Sequence, residues 1–443
     1  MKVNKSVLYF AFIEPSPAPV RQDMAESIRI DDLSAPRYSE DQLAALAFGK
    51  TLDVTLSAAD LLAEARAATG LQDFGPMEFL ERLELLCDEW GSDTGLNNLG
   101  RLGLRNKLLL FAKNRLLIHD LLQRHPEIHD VRIDAPIIVA GLPRSGTTHL
   151  LNLMAADKRL RSLPLWESYE PVPLPGEAAL PDGTDPRYQR CLDQWQTMQQ
   201  MTPHLAAMHP MNPEHIHEEL ELMGPDYASY NFEWLCMCPR WRDHYYATDQ
   251  TPHYEYMKIV LKILTWQDGD DGSRTRWVLK CPQHLEQLPV LQKVFPDATV
   301  AVTHRDPVSV IRSAATMIAY GQRMSRDAVD TGAVINYWSD RVLHLLQACA
   351  RDRHVWPEAQ SVDVPFHEFM ADDIGMVEKI YAKAGLPMTE EAATQLRQFM
   401  DAHPRGKHGR IVYDLEADFG VSPGDLRERF NFYFQQFPVQ AEN

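Results

Sequence analysis

The sequence predicts an α/β fold, a central parallel sheet flanked by helices and preceded by a helical extension. Three observations carry this. Four short β-rich apolar runs, Ile137-Ile138-Val139-Ala140, Trp277-Val278-Leu279, Thr299-Val300-Ala301-Val302 and Val362-Asp363-Val364, are spaced by segments long enough for helices. The first run leads through a Gly/Pro turn into Leu150, Leu151, Leu153 and Met154 at helical spacing, the strand-loop-helix opening of a βαβ unit. Leu285 to Phe295 is long enough to be the crossover helix between the second and third runs. No internal repeat is visible.

Ahead of the sheet, the chain from about Ser39 to Arg124 reads as helices. Ser57 followed by Asp60 is an N-cap with an early acid, and Leu61, Leu62 and Ala65 continue at helical spacing. Phe79, Leu80, Leu83, Leu85 and Leu86 form one apolar stripe, Leu102 to Leu122 a second, with Gly91, Asn97 and Asn98 between them. The organisation expected is a leader over 1–38, disordered, a helical extension over 39–130 acting as cover or oligomer contact, and an α/β domain over 131–443. That domain carries a helical, aromatic- and Met-rich insert at about 185–265. Lys2 and Lys5 precede an apolar stretch from Val7 to Ile13, but Glu14 follows at once and no A-x-A cleavage site is present. A leader, with Met24 as an alternative start, is expected rather than a signal peptide.

The 443 residues carry 44 Lys plus Arg against 62 Asp plus Glu, a net charge of −18. Such a surface repels polyanions, so nucleic acid is not an expected partner. No apolar run approaches the roughly 18 residues of a membrane-spanning helix. Six cysteines in a chain this long, with no C-x-x-C pair, indicate neither a disulfide framework nor a zinc site, and a cytoplasmic location is expected.

The most informative stretch is Gly141-Leu142-Pro143-Arg144-Ser145-Gly146-Thr147-Thr148. Its Gly-x-x-x-x-Gly spacing between strand and helix matches the phosphate-cradling P-loop. Gly141 and Gly146 allow turns that aim successive N–H groups into one concavity, and the helix adds its positive N-terminal end. Thr147 stands where nucleoside triphosphatases place Lys, and the cation sits inside the loop as Arg144. A P-loop kinase or nucleotidase, and a non-enzymatic nucleotide-binding scaffold, remain alternatives at this point.

Pro143 to Thr148 resembles the 5′-phosphosulfate loop of sulfotransferases that use 3′-phosphoadenosine 5′-phosphosulfate (PAPS). Thr303-His304-Arg305-Asp306-Pro307, with Ser313 eight residues after Arg305, resembles that family's 3′-phosphate site. Arg405-Gly406-Lys407-His408-Gly409-Arg410 is similar to the basic segment that closes over the nucleotide. The resemblance covers about 136–437, and the helical extension is similar to that of bacterial members. It implies a P-loop-type sheet and sulfuryl transfer from PAPS to a hydroxyl or amine, with no metal required. It also implies a cosubstrate site of Arg144, Ser145, Gly146, Thr147, Thr148, Arg305, Ser313, Arg405, Gly406 and Lys407.

For the chemistry, the resemblance offers Lys280 to neutralise the leaving oxygen and ranks Glu167 first and His284 second as the base. Glu167 lies nineteen residues after Thr148. His284 lies four residues after Lys280, where relatives separate the pair by two. The run His204, His209, His215, His217, Glu218, Glu219 is dense enough to weigh as metal ligands, or as a source of the base in Glu218 or Glu219. Aromatics crowd the stretch from Tyr227 to Tyr256, and Met198, Met201, Met208 and Met211 recur just before it. They read either as core or as the wall of a pocket for an apolar acceptor such as a phenol, sterol or lipid alcohol. A homo-oligomer is left open.

Overall fold

The computed structural model describes residues 27–269, 276–407 and 409–442. Among them are seven strands: β1 (Ser27–Arg29), β2 (Ile137–Gly141), β3 (Leu160–Arg161), β4 (Arg276–Lys280), β5 (Thr299–His304), β6 (Ser361–Pro365) and β7 (Arg410–Val412). Five form a parallel sheet in the order β3-β4-β2-β5-β6. The four apolar runs are its four longer strands. Every residue of β2 and β5 is buried, which is why they read as continuous apolar runs rather than alternating ones. The two-residue β3 was not legible. Leu160 and Arg161 carry no β-branched side chain, and the strand exists only by pairing with Arg276 and Trp277.

The chain leaves β2 toward β3 and β4 on one side and later crosses to β5 on the other. The carboxyl ends of β4, β2 and β5 therefore face a crevice at the point where the strand order reverses. They end in Lys280, Gly141 and His304, with Arg305 next.

The disordered leader expected over 1–38 is corrected for residues 27–38. Residues 1–26 lie outside the described residues, but Ser27–Arg29 pairs in parallel with Arg410–Val412, and Ile30 and Leu33 are buried in the main core. Arg29 also forks onto Asp418 at 2.9 and 2.6 Å. A three-residue strand has no sequence signature of its own; its partner lies nearly 400 residues away.

The helices Ala58–Thr69, Phe79–Ser92 and Asn98–Arg124 build the N-terminal layer. Ser57 Oγ accepts from the Asp60 amide at 3.2 Å, and Gly70, at φ 73°, closes the first of them in the left-handed conformation. Their apolar faces do not close on one another alone. Leu61, Phe79, Leu83, Trp90, Leu108 and Phe111 share one core with Tyr227, Phe232 and Trp241 of the insert. Tyr227 stacks on Phe79 at 5.6 Å and on Phe232 at 6.2 Å. The pocket reading of the aromatics is corrected here: Tyr227, Tyr230, Phe232, Trp241, Tyr245 and Tyr254 are buried packing, and the extension and insert are one layer. Arg341, fully buried, ties this layer to the sheet through Glu233 (2.8 Å) and a fork on Glu286 (2.7 and 2.6 Å). All six cysteines are buried and unpaired, and no described helix is long and apolar enough to cross a membrane.

Candidate active site

The loop after β2 is shaped by steric necessity. A Cβ on Gly141 would lie 1.9 Å from Thr303 Oγ1 on the neighbouring strand, so only glycine fits. Ser145 Oγ bonds the Leu142 carbonyl (2.6 Å) and Thr303 Oγ1 (2.7 Å), which makes it the buried floor of the loop. Arg144 and Gly146 both take positive φ, 64° and 86°. For Arg144 this is strain of about 1–3 kcal/mol, which the surrounding structure has to hold. The helix Thr147–Ala155 starts at Gly146 with no side-chain cap, so its first N–H groups are available to an anion.

At one end of this loop, the residues named from separate motifs meet. Arg144 Nε donates to Ser313 Oγ at 2.9 Å, and Arg305 Nη1 donates to the Arg144 carbonyl at 2.6 Å. Ser313 in turn bonds the Tyr413 hydroxyl at 3.0 Å. The rest of the Arg305 fork grips the carboxylate of Glu442 at 2.7 Å from both nitrogens, with the guanidinium 3.9 Å over the Phe366 ring. Arg405 stands apart from this cluster. Its Nη2 donates to both carboxylate oxygens of Asp373 at 2.6 and 2.7 Å, and Asp373 also holds His149 of the loop's helix at 2.8 Å. Gly406 turns at φ 81°, Lys407 is exposed, and His408 lies outside the described residues.

At the other end, Lys280 closes β4 with its side chain buried. Its ammonium donates to Thr148 Oγ1 at 3.2 Å and pairs with the Glu218 carboxylate. Its backbone N–H donates to Glu219 at 2.8 Å, and the other oxygen of Glu219 accepts from His284 Nε2 at 3.2 Å. Tyr254 then donates to His284 Nδ1 at 2.9 Å. Both nitrogens of His284 are thus engaged within the protein, and the residue has no exposed surface.

Glu167 is elsewhere. Its carboxylate accepts from Arg161 at 2.6 Å, and Arg161 also holds Asp268 at 2.6 Å while lying over the Trp277 ring. Trp277 precedes Lys280 by three residues, roughly 10 Å along a strand. The first-ranked base is thus a sheet-edge ion pair, because β3, which the sequence did not reveal, brings Arg161 to it.

The histidine run folds into an arch over the loop. Asn152 holds both the N–H and the C=O of Ile216 at 3.2 Å, the His217 N–H donates to the Leu163 carbonyl at 2.7 Å, and Arg144 donates to the Met208 carbonyl at 2.5 Å. The rings of His209, His215 and His217 lie 5.7 to 6.4 Å apart. Burial first, then the neighbouring histidines and the Lys280 charge, lower all three: His215 falls to about 3, the other two well below the usual range. His215 Nε2 and His217 Nδ1 are buried with no hydrogen-bond partner among the described residues. Burial pushes the Glu218 carboxyl above its ordinary range, opposed by Lys280. Among the described residues no group of three His, Cys, Asp or Glu is arranged to hold a metal ion.

The sequence model of the sulfotransferase family matches residues 136–390, more than half of the chain. The chain belongs to the sulfotransferase family. The crystal structure of sulfotransferase STF1 from Mycobacterium tuberculosis H37Rv is similar at a TM-score of 0.73 and 28% identity, over 85% of this chain and 98% of its own. That of sulfotransferase STF9 from Mycobacterium avium reaches 0.77 at 25% identity, over 88% and 99%. No curated protein matches the chain. This sulfotransferase is therefore a sulfuryl-transferring enzyme on a P-loop-type sheet. Glu218, which sequence reasoning placed behind Glu167 and His284, is the acid that the fold brings to Lys280.

Proposed function

We propose that this sulfotransferase moves the sulfuryl group of PAPS to a hydroxyl of a small-molecule acceptor by in-line displacement. One observation carries the cosubstrate reading: Arg144, Arg305 and Ser313, drawn from two separate motifs, meet within hydrogen-bond distance beside an uncapped helix N-terminus. Arg144 and the first N–H groups of the helix suit a 5′-phosphosulfate, and Arg305 with Ser313 suits a 3′-phosphate. A carboxylate already lies in the Arg305 fork, so the fork accepts an anion.

Chemically, the acceptor oxygen forms a bond to sulfur as the sulfur–oxygen bond to the 5′-phosphate breaks, releasing adenosine 3′,5′-bisphosphate (PAP). Lys280, with Thr148 beside it, neutralises the charge that grows on that leaving oxygen, and a preorganised cation lowers the barrier. Glu218 takes the acceptor proton. A buried carboxyl raised above its ordinary range is a stronger base than a free one. His215 and His217, neutral and each with an unpartnered nitrogen, hydrogen-bond the acceptor's polar end. The phenol, sterol or lipid-alcohol expectation loses most of its support, because six of the nine aromatics on which it rested are core.

The test is a thermal-shift comparison followed by transfer of labelled sulfuryl from PAPS to an acceptor panel. PAP should stabilise the protein well beyond ATP with magnesium, following RT ln(1 + [L]/Kd). Greater stabilisation by ATP with magnesium overturns the reading.

A further inference from the structure

Residues 438–442 bring Glu442 onto Arg305, within the site proposed for the 3′-phosphate. The approach is firmly anchored. Tyr433, on the helix Asn431–Gln436, donates to His304 Nδ1 at 2.7 Å, and Phe437 stacks on the same ring at 4.5 Å. His304 is the last residue of β5, so the chain is delivered to the strand end where Arg305 follows. Glu442 then makes three kinds of contact. Its carboxylate takes two nitrogens of Arg305, its N–H donates to Asp306 Oδ2 at 2.7 Å, and its carbonyl accepts from Arg427 at 2.9 Å. Arg427 bridges back to Asp306 at 2.8 Å.

Between this anchor and Glu442 the segment is held mainly by Val439, half-buried against the main core. Residues 438–442 have no regular secondary structure, and Pro438, Gln440 and Ala441 are exposed. Withdrawing Glu442 would break neither the sheet nor the core. It would also leave the Arg305 bond to the Arg144 carbonyl in place.

We infer that the segment 438–442 is an autoinhibitory strap, in which the Glu442 carboxylate occupies the 3′-phosphate seat on Arg305 and must leave before the nucleotide binds. This rests on the PAPS reading. The two anions cannot share one guanidinium fork, so binding and strap docking are reciprocal: the strap lowers nucleotide affinity by the fraction of molecules in which it is docked, and bound nucleotide releases the strap.

The experiment measures PAP and AMP affinities, by calorimetry, for the full chain and its Glu442→Gln variant. AMP lacks the 3′-phosphate and serves as the internal control. Removing the charge should tighten PAP binding by about three- to tenfold and leave AMP unchanged. Hydrogen exchange at the Glu442 amide, now bonded to Asp306, should speed up when PAP is added to the unsubstituted protein. Equal PAP affinities in the two proteins, or equal gains for PAP and AMP, overturn the strap. If neither protein binds PAP, the nucleotide reading itself fails and the strap falls with it.

Discussion

Lys280 and Glu218 form a buried ion pair at the carboxyl end of the central sheet, joined across 62 residues of chain. The strand β4 delivers the cation, the histidine arch delivers the acid, and Thr148 of the phosphate loop touches the cation from the other side. An acid and a cation from distant parts of the chain are thus in contact at the end of the phosphate loop.

Glu218→Gln should lower turnover by about 10²–10⁴ while leaving PAP affinity nearly unchanged. Because burial raises the Glu218 carboxyl, the rate should fall with decreasing pH at a higher pH than an ordinary carboxylate would give. The variant should lose that limb. Glu167→Gln and His284→Asn are the controls, each assayed across pH at saturating donor; a missing limb in Glu167→Gln alone would return the base role to Glu167.

Lys280→Met should reduce turnover more than donor affinity, since its charge matters most as the bridging oxygen becomes anionic. Comparing kcat with the PAP dissociation constant checks this. Equal losses in both would make Lys280 a binding residue.

Arg144→Ala and Arg305→Ala should each weaken PAP binding, by about 1.5–3 kcal/mol for a lost charge-assisted contact. Arg405→Ala should weaken it less, because its guanidinium is committed to Asp373. Calorimetric titration of the three variants ranks them, and an Arg405 loss equal to that of Arg305 would place the Asp373 pair in the nucleotide site.

Arg341→Ala should cost about 3–5 kcal/mol of stability, because it leaves the carboxylates of Glu233 and Glu286 buried without their cation. Denaturant unfolding reads this directly. A loss below about 1 kcal/mol would mean that Tyr337, 2.6 Å from Glu233, and His344 suffice as partners.

The neutral histidines make stability depend on acid. His215 binds its proton near pH 6.5 when unfolded and only at about 3 when folded, so the unfolded chain holds the extra proton between those values. Stability should therefore fall as pH drops through that window, and His209 and His217, shifted in the same direction, add to the slope. A His215→Gln variant should show a shallower decline of Tm from pH 6.5 to 4. An unchanged slope would show that the imidazole is already protonated in the folded state.

How much of this was readable follows the range of each interaction. The four long strands, the Ser57 cap and the phosphate loop were legible because each is a local pattern: an apolar run buried on both faces, a hydroxyl three residues before an amide, and glycines where a Cβ would strike Thr303. Arg305 and Ser313 were legible for the same reason, being eight residues apart on one strand-helix turn. The aromatics could not be assigned locally. Tyr227 reads alike whether it lines a pocket or packs against Phe79, and only the N-terminal layer decided for the core.

The sequence alone determined the parallel sheet and the glycine-bounded loop after β2, since backbone geometry and side-chain size within a few residues specify them. Tertiary structure alone decided which acid pairs with the Lys280 ammonium. Glu167, Glu218 and Glu219 are chemically equivalent in the sequence, and each was sorted by a partner far along the chain or on an unforeseen strand. Arg161 on β3 took Glu167, the Lys280 amide and His284 took Glu219, and the Lys280 ammonium was left to Glu218. A carboxyl's role depends on burial and on the charge beside it, and both are properties of the folded chain.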